Sequence, residues 1–167
     1  SQPRILVESS RLSGQVALSG AKNSALKLVA ASLLTDETVH LEDFPTGLVD
    51  IQVMLDMLRR LGKEVEASPG RARLGGACTG TSLDPADRSV RTSLLVMAAL
   101  VARHGHGAVP LPGGCRIGER KYDLHQLVLE SLGARVRATD DLLVAEADGR
   151  LRGAEIHLPL RLSLIHI

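Results

Sequence analysis

The chain states one pattern twice. SGAKNSALKLVAASLL, TVHLEDFP and DIQVMLDMLRRLGKEVEA follow one another in the first half. VRTSLLVMAALVAR, GAVPLPGG and DLHQLVLESLGARVRA follow in the same order in the second. The period is about 70 residues, so the fold must be built from two like units packed together. Each unit reads as an apolar helix, a short strand, a turn with Pro or Gly, a second helix ending in Leu-Gly, and a strand. Gly62 and Gly133, 71 positions apart, stand where a helix C-terminus calls for a left-handed residue. A third unit opens at GAEIHLPL, where Gly153-x-x-Ile156-x-Leu158 echoes Gly14-x-Val16-x-Leu18.

The first helix of each unit, Ser24 to Leu34 and Thr92 to Ala102, is apolar on nearly every face, which predicts burial all round. Arg4 to Val7, Gln15 to Leu18, Lys63 to Glu66 and Ala134 to Arg137 alternate apolar and polar residues, the pattern of strands with one solvated face. Helices inside and sheets outside are therefore expected. The last six residues, LSLIHI (162–167), break the pattern and resemble a translated sequencing adapter. They are expected to be a non-native tail that cuts off the third unit.

Composition narrows the function. Hydrophobic residues make up 44% of the 167, but aromatics only 1% (Phe44 and Tyr122), so the core must be aliphatic. A net charge of +1 gives no bulk electrostatic drive toward nucleic acid or membrane, and too few aromatics are present to stack on single-stranded bases. The longest apolar stretch, Ser93 to Ala102, is too short to cross a bilayer, and no signal peptide is evident. Cys78 and Cys115 have no metal-type spacing and read as free thiols of a reducing compartment. The expectation is a soluble cytoplasmic protein.

Cations recur at helix starts. Lys22 precedes the first apolar helix, with Asn23 and Ser24 as cap candidates. Arg91, 69 positions on, precedes its counterpart and is followed by Thr92 and Ser93. Arg120 precedes the next helix, with Asp123 as its cap candidate. A helix N-terminus already carries free N–H groups and partial positive charge, so a cation there opposes folding slightly unless an anion arrives. Any one such residue reads most simply as solvated; three at related places point to an anion-binding face.

LPGGCRIGERKYDLH, residues 111–125, sets Cys115 beside Gly113, Gly114 and Gly118 and between Arg116 and Arg120. Glycines free the loop to move, and guanidinium groups favour a thiolate. Cys115 is thus a candidate acid or nucleophile, against an incidental loop cysteine. Cys78, in GGACTGTS, has no charged neighbour. His104, His106 and His125 form no Cys-His-Asn order, and HGH lacks a third metal ligand. No phosphate loop and no GxGxxG motif occurs.

SGAKNSALKLVAASLL at 19–34, Arg91-x-Ser93, and LPGGCRIGERKYDLH at 111–125 together resemble the enolpyruvyl transferase family, in order and nearly without gaps from residue 4 to about 160. The nearest branch transfers enolpyruvyl from phosphoenolpyruvate to the 3-hydroxyl of UDP-N-acetylglucosamine, releasing phosphate, in the first committed step of peptidoglycan precursor synthesis. The resemblance implies an α/β fold: an inside-out barrel of βαβαββ units, here incomplete, with about two of the three units of one domain. Residues 1–21 would belong to a second, missing domain, and 22–161 would form the partial transferase domain. Neither metal nor cofactor is implied, and the full enzyme would be monomeric or weakly oligomeric.

By the same resemblance Lys22, Asn23 and Arg120 would hold phosphoenolpyruvate. Arg91, Arg120, Lys121, Tyr122, Asp123 and Leu124 would contact the UDP-sugar. Cys115 would protonate the methylene carbon or form an adduct, and would be the target of fosfomycin. Lys121 and Tyr122 stand where the family usually has Pro and then Val or Ile, which leaves a different nucleotide acceptor open. The family's general-base aspartate and a further phosphate-binding arginine lie in the other domain, so no turnover is expected from these 167 residues. A non-catalytic anion-binding module and a thiol hydrolase remain as alternatives.

Overall fold

The structure, a computed structural model, describes residues 6–87, 91–111 and 122–158. The first unit runs α1 (Lys22–Ala31), β1 (Val39–Phe44), α2 (Val49–Arg60), β2 (Glu64–Ser68) and β3 (Gly70–Gly75). The second repeats it as α3 (Ser93–His104), β4 (His106–Pro110), α4 (Asp123–Ser131), β5 (Ala134–Ala138) and β6 (Leu142–Ala147). Each unit forms a three-stranded antiparallel sheet of the same topology, β1-β3-β2 and β4-β6-β5, with the last strand in the middle. The fold is α/β, two antiparallel sheets with helices, and no barrel closes among the described residues.

The repeat is thus seen in three dimensions. Gly62 and Gly133 end α2 and α4 with φ of 94° and 96°, a left-handed conformation that glycine adopts without steric cost. β3 and β6, the hairpin partners, were not among the strands expected from alternation. Each pairs along its full length with the strand before it, Glu64↔Gly75 to Ser68↔Arg71 and Ala134↔Ala147 to Ala138↔Leu143.

A single aliphatic core joins the units. Leu26 and Leu33, Ile51, Met54, Leu55, Met57 and Leu58 of α2, Leu61 just after it, Leu74, and Leu94, Met97 and Leu100 of α3 supply its largest fully buried side chains. Phe44, 3% exposed, is its only phenylalanine. Burying each such side chain contributes about 1.5–3 kcal/mol. The link between units is pinned by its backbone. Thr79 and Gly80 both donate to the Leu61 carbonyl, at 2.9 and 3.0 Å, while Leu83 N–H donates to the Ala108 carbonyl of β4 and Ala108 N–H to that of Thr81. Arg60 at the end of α2 bridges Asp87 at 3.0 Å.

Four expectations are corrected. First, α1 and α3 are not buried all round. Ala25, Leu26, Val29 and Ala30 of α1 face the core while Lys27, Leu28 and Ala31 are exposed. An apolar groove of about 280 Å³ runs between the two helices, lined by Lys27, Ala30, Ala31, Leu34, Leu95, Ala98, Ala99 and Ala102. Second, 6–20 contains no strand. Val16 and Leu18 are 85% and 92% exposed, because no neighbouring strand pairs with them. Third, the opening of a third unit at 153–158 forms no regular element. Fourth, the helix caps differ. α1 begins two or three residues early, with Ala21 at its N-cap, so Asn23 and Ser24 lie inside the first turn. Tyr122 rather than Asp123 occupies the α4 N-cap, and neither it nor Thr92 at α3 makes a side-chain capping bond. The tail at 162–167 lies outside the described residues.

Candidate functional site

Lys22 is the first residue of α1, and Arg91 lies two residues before α3. The helices pack against each other. Their C-terminal ends are fastened by Arg103 of α3, which donates to the Leu33 carbonyl at 2.7 Å and bridges Asp36 at 2.6 Å. Lys22 and Arg91 thus each stand at the start of one of two paired helices, where backbone N–H groups carry partial positive charge.

The start of α1 is set by a close backbone approach. A Cβ on Gly20 would fall on the carbonyl oxygen of Asp43, so no other residue fits there without movement. Asp43 itself has φ 50° at an irregularity in the β1–β3 pairing. The strand end and the turn into α1 are thereby locked together. Lys22 extends from that turn, half exposed, and its Nζ donates to Oδ2 of Asp50 in the first turn of α2 at 2.9 Å. Asn23 is exposed beside it.

The first turn of α4 closes the Arg91 side. Tyr122 packs against the core at the helix start, Asp123 is exposed, and Leu124 and His125 are half-buried. Burial holds the His125 imidazole below its usual range; the positive charge of Arg91 lowers it further and Asp123 opposes. Arg91 is thus electrostatically coupled to α4. At the α3 N-terminus the Thr92 hydroxyl oxygen is buried, with no hydrogen-bond partner among the described residues.

Cys115, Arg120 and Lys121 lie outside the described residues, as does most of the glycine loop. Cys78 is buried and donates weakly to the Gly80 carbonyl at 3.4 Å. Burial raises its thiol above the ordinary range, which makes it a poor nucleophile. Asp50 and Gly20 were missed by sequence reasoning, and His125 was weighed only as a partner for the cysteine. Gly20 sits within the quoted SGAKN motif, but its contact with Asp43 is tertiary, and Asp50 lies 28 positions from Lys22.

Each of the two repeat-related helices thus has a cation at or just before its start, Lys22 and Arg91. Comparisons agree in kind. The family profile described as EPSP synthase (3-phosphoshikimate 1-carboxyvinyltransferase) matches residues 6–163. A UDP-N-acetylglucosamine 1-carboxyvinyltransferase of Maricaulis maris is 44% identical over 161 residues, covering 93% of this chain and 38% of that protein. One from Yersinia pestis is 41% identical over 148 residues, covering 87% of this chain and 35% of that protein. Among solved structures, the enolpyruvyl transferase NikO from Streptomyces tendae superposes with a TM-score of 0.68 at 25% identity, over 85% of this chain and 31% of that one. The chain therefore spans little more than a third of the curated relatives it matches. A profile match that runs across both repeat units, with relatives above 40% identity over most of its residues, shows that this chain belongs to the EPSP synthase family of enolpyruvyl transferases.

Proposed function

We propose that these residues are part of an enzyme that transfers the enolpyruvyl group of phosphoenolpyruvate to the 3-hydroxyl of UDP-N-acetylglucosamine, in the cytoplasmic synthesis of peptidoglycan precursor. The observation that carries this reading is the match to relatives above 40% identical over most of the chain, supported by Lys22 at the start of α1 and Arg91 just before its repeat counterpart α3. The names of the relatives supply the acceptor. In this reading Lys22, Asn23 and Arg120 hold phosphoenolpyruvate. Arg91 and the segment 120–124 hold the nucleotide sugar. The acceptor hydroxyl adds through its oxygen to the central carbon of the enol, its proton passing to the general-base aspartate of the other domain, while Cys115 delivers a proton to the methylene carbon. A proton then leaves the new methyl group and the C–O bond to phosphate breaks, which restores the double bond and releases phosphate. Fixed cations and helix amides stabilise the charge that moves through this sequence.

The same reading gives the unpartnered surfaces an occupant. The apolar α1–α3 groove would receive the first helix of a third repeat unit, since a stack of like units leaves its last unit with one open face. The exposed apolar residues Leu6, Val7, Leu12, Val16 and Leu18 would pair with a second domain. Residues 22–161 would then be a partial domain without turnover of its own.

A second reading, a different nucleotide acceptor, is favoured by Lys121 and Tyr122 in the nucleotide-contact segment. The chemistry is tested by alkylation. The purified chain is incubated with fosfomycin, an epoxide phosphonate, and the modified cysteine is mapped by mass. Cys115 is expected to react far faster than the buried Cys78. Equal labelling of both would favour a non-catalytic anion-binding module.

A further inference from the structure

Lys22 sits where its own helix gives it least support. It is the first residue of α1; the first turn of α1 holds no acidic residue, and Ala21 at the N-cap offers no side chain to bond. The partner comes from another helix: Asp50, whose Oδ2 accepts from Lys22 Nζ at 2.9 Å. That carboxylate lies in the first turn of α2, where the helix end favours negative charge.

The strut that carries Asp50 is held in several places. Asp43 is left-handed, and its carbonyl abuts Gly20. Phe44 and Pro45 are buried. Thr46 N–H donates to the Phe44 carbonyl and Leu48 N–H to that of Pro45, while the Gln52 side chain donates to the Thr46 carbonyl. The turn entering α1 and the turn entering α2 are therefore one rigid piece, and the ion pair spans it.

We propose that Asp50 is a positioning residue, which aims the Lys22 ammonium across the N-terminus of α1 so that an incoming phosphate meets a cation already in place. This rests on the reading of Lys22 as part of the phosphoenolpyruvate site. A free lysine must be ordered when the anion binds, and that cost weakens binding. A tethered one is ordered beforehand. The carboxylate also repels the anion, and inside the Debye length of about 8 Å salt relieves little of that repulsion, so the pre-ordering of Lys22 has to outweigh it.

The test titrates the 167-residue chain at physiological ionic strength with inorganic phosphate and, separately, phosphoenolpyruvate, following the backbone amide resonances of residues 22–24. Thermal unfolding of each variant is measured alongside. Asp50→Asn is expected to weaken phosphate binding about threefold with little change in melting temperature, and Asp50→Glu to restore most of it. Phosphate affinity in Asp50→Asn equal to or tighter than that of the parent overturns the role of Asp50 and leaves the site intact, provided Lys22→Met abolishes binding. If the parent chain shows no saturable shift, or Lys22→Met binds as the parent does, the site reading itself fails and the inference falls with it.

Discussion

Lys63 donates its ammonium to the carbonyl oxygen of Gly76 at 2.7 Å while only 3% exposed, and reaches the Thr35 carbonyl at 2.9 Å with the same nitrogen. It follows the Leu-Gly stop of α2. Its counterpart after the stop of α4 is Ala134, so this polar staple belongs to one unit only. Burial lowers the Lys63 pKa, nearby Arg103 lowers it further, and Asp36 opposes. A neutral amine still has two N–H groups for its two carbonyls, so the bonds survive deprotonation.

Replacing Lys63 by Met should therefore destabilise the chain by about 1–3 kcal/mol near neutral pH, because two carbonyls lose their donor. The pH dependence is the sharper check. Between the lowered folded pKa and the ordinary lysine value, the unfolded chain binds a proton that the folded chain has released. Stability then rises as pH rises through that window, and below it the contribution is flat. Denaturant unfolding at several alkaline pH values should show this rise in the parent and not in Lys63→Met.

His125 gives the acid counterpart. Its folded pKa lies below the ordinary value of 6.5 through burial, then Arg91, with Asp123 opposing. Above 6.5 both states are neutral and histidine contributes no slope. As pH falls through 6.5 the unfolded chain takes up a proton first, so stability drops until the folded pKa is passed. His125→Leu should flatten that drop in a pH series of unfolding midpoints. An unchanged slope would mean that the imidazole is solvated and uncoupled from Arg91.

The repeat was legible in the sequence because its punctuation is chemical: Leu-Gly at 61–62 and at 132–133, and two helices rich in Leu, Val and Ala. The sheet order was not, because β3 is a short Arg-Ala-Arg-Leu alternation that gains its place only by pairing with β1 and β2. Helix starts failed for a related reason. Propensity favoured Asn23 and Ser24 as caps, but the contact of Gly20 with Asp43 fixes where α1 begins. The cations at helix starts could be read along the chain. Their neighbours could not, since Asp50 and His125 reach Lys22 and Arg91 across separate helices.

Glycine positions separate packing from conformation. Gly20→Ala would force its Cβ onto the Asp43 carbonyl, backbone against backbone, where no rotamer change gives relief. It should cost about 1–3 kcal/mol or more, as overpacking does, and should shift the amide resonances of 21–24. Gly47→Ala meets nothing within 4 Å and has no positive φ. It should be neutral or stabilise slightly, by up to about 1 kcal/mol, by restricting the unfolded chain. Equal effects from the two would contradict the close approach at Gly20.

The apolar groove gives a prediction whose size depends on whether a third unit is present. Leu34 is 54% exposed at its edge, and Ala98 and Ala102 of α3 line the opposite wall. In the 167-residue chain Leu34→Lys places a charge in water. It should change stability by no more than about 0.5 kcal/mol while lowering the fluorescence of a bound hydrophobic dye. In a chain extended by the segment that follows the matched region in the Maricaulis maris relative, the same lysine would face the added helix. There it should destabilise by about 1–3 kcal/mol, because burying a polar group without a partner is unfavourable. A loss of that size already in the shorter chain would show that Leu34 is committed to internal packing. Equal, small effects in both chains would mean that the third unit does not seat in this groove.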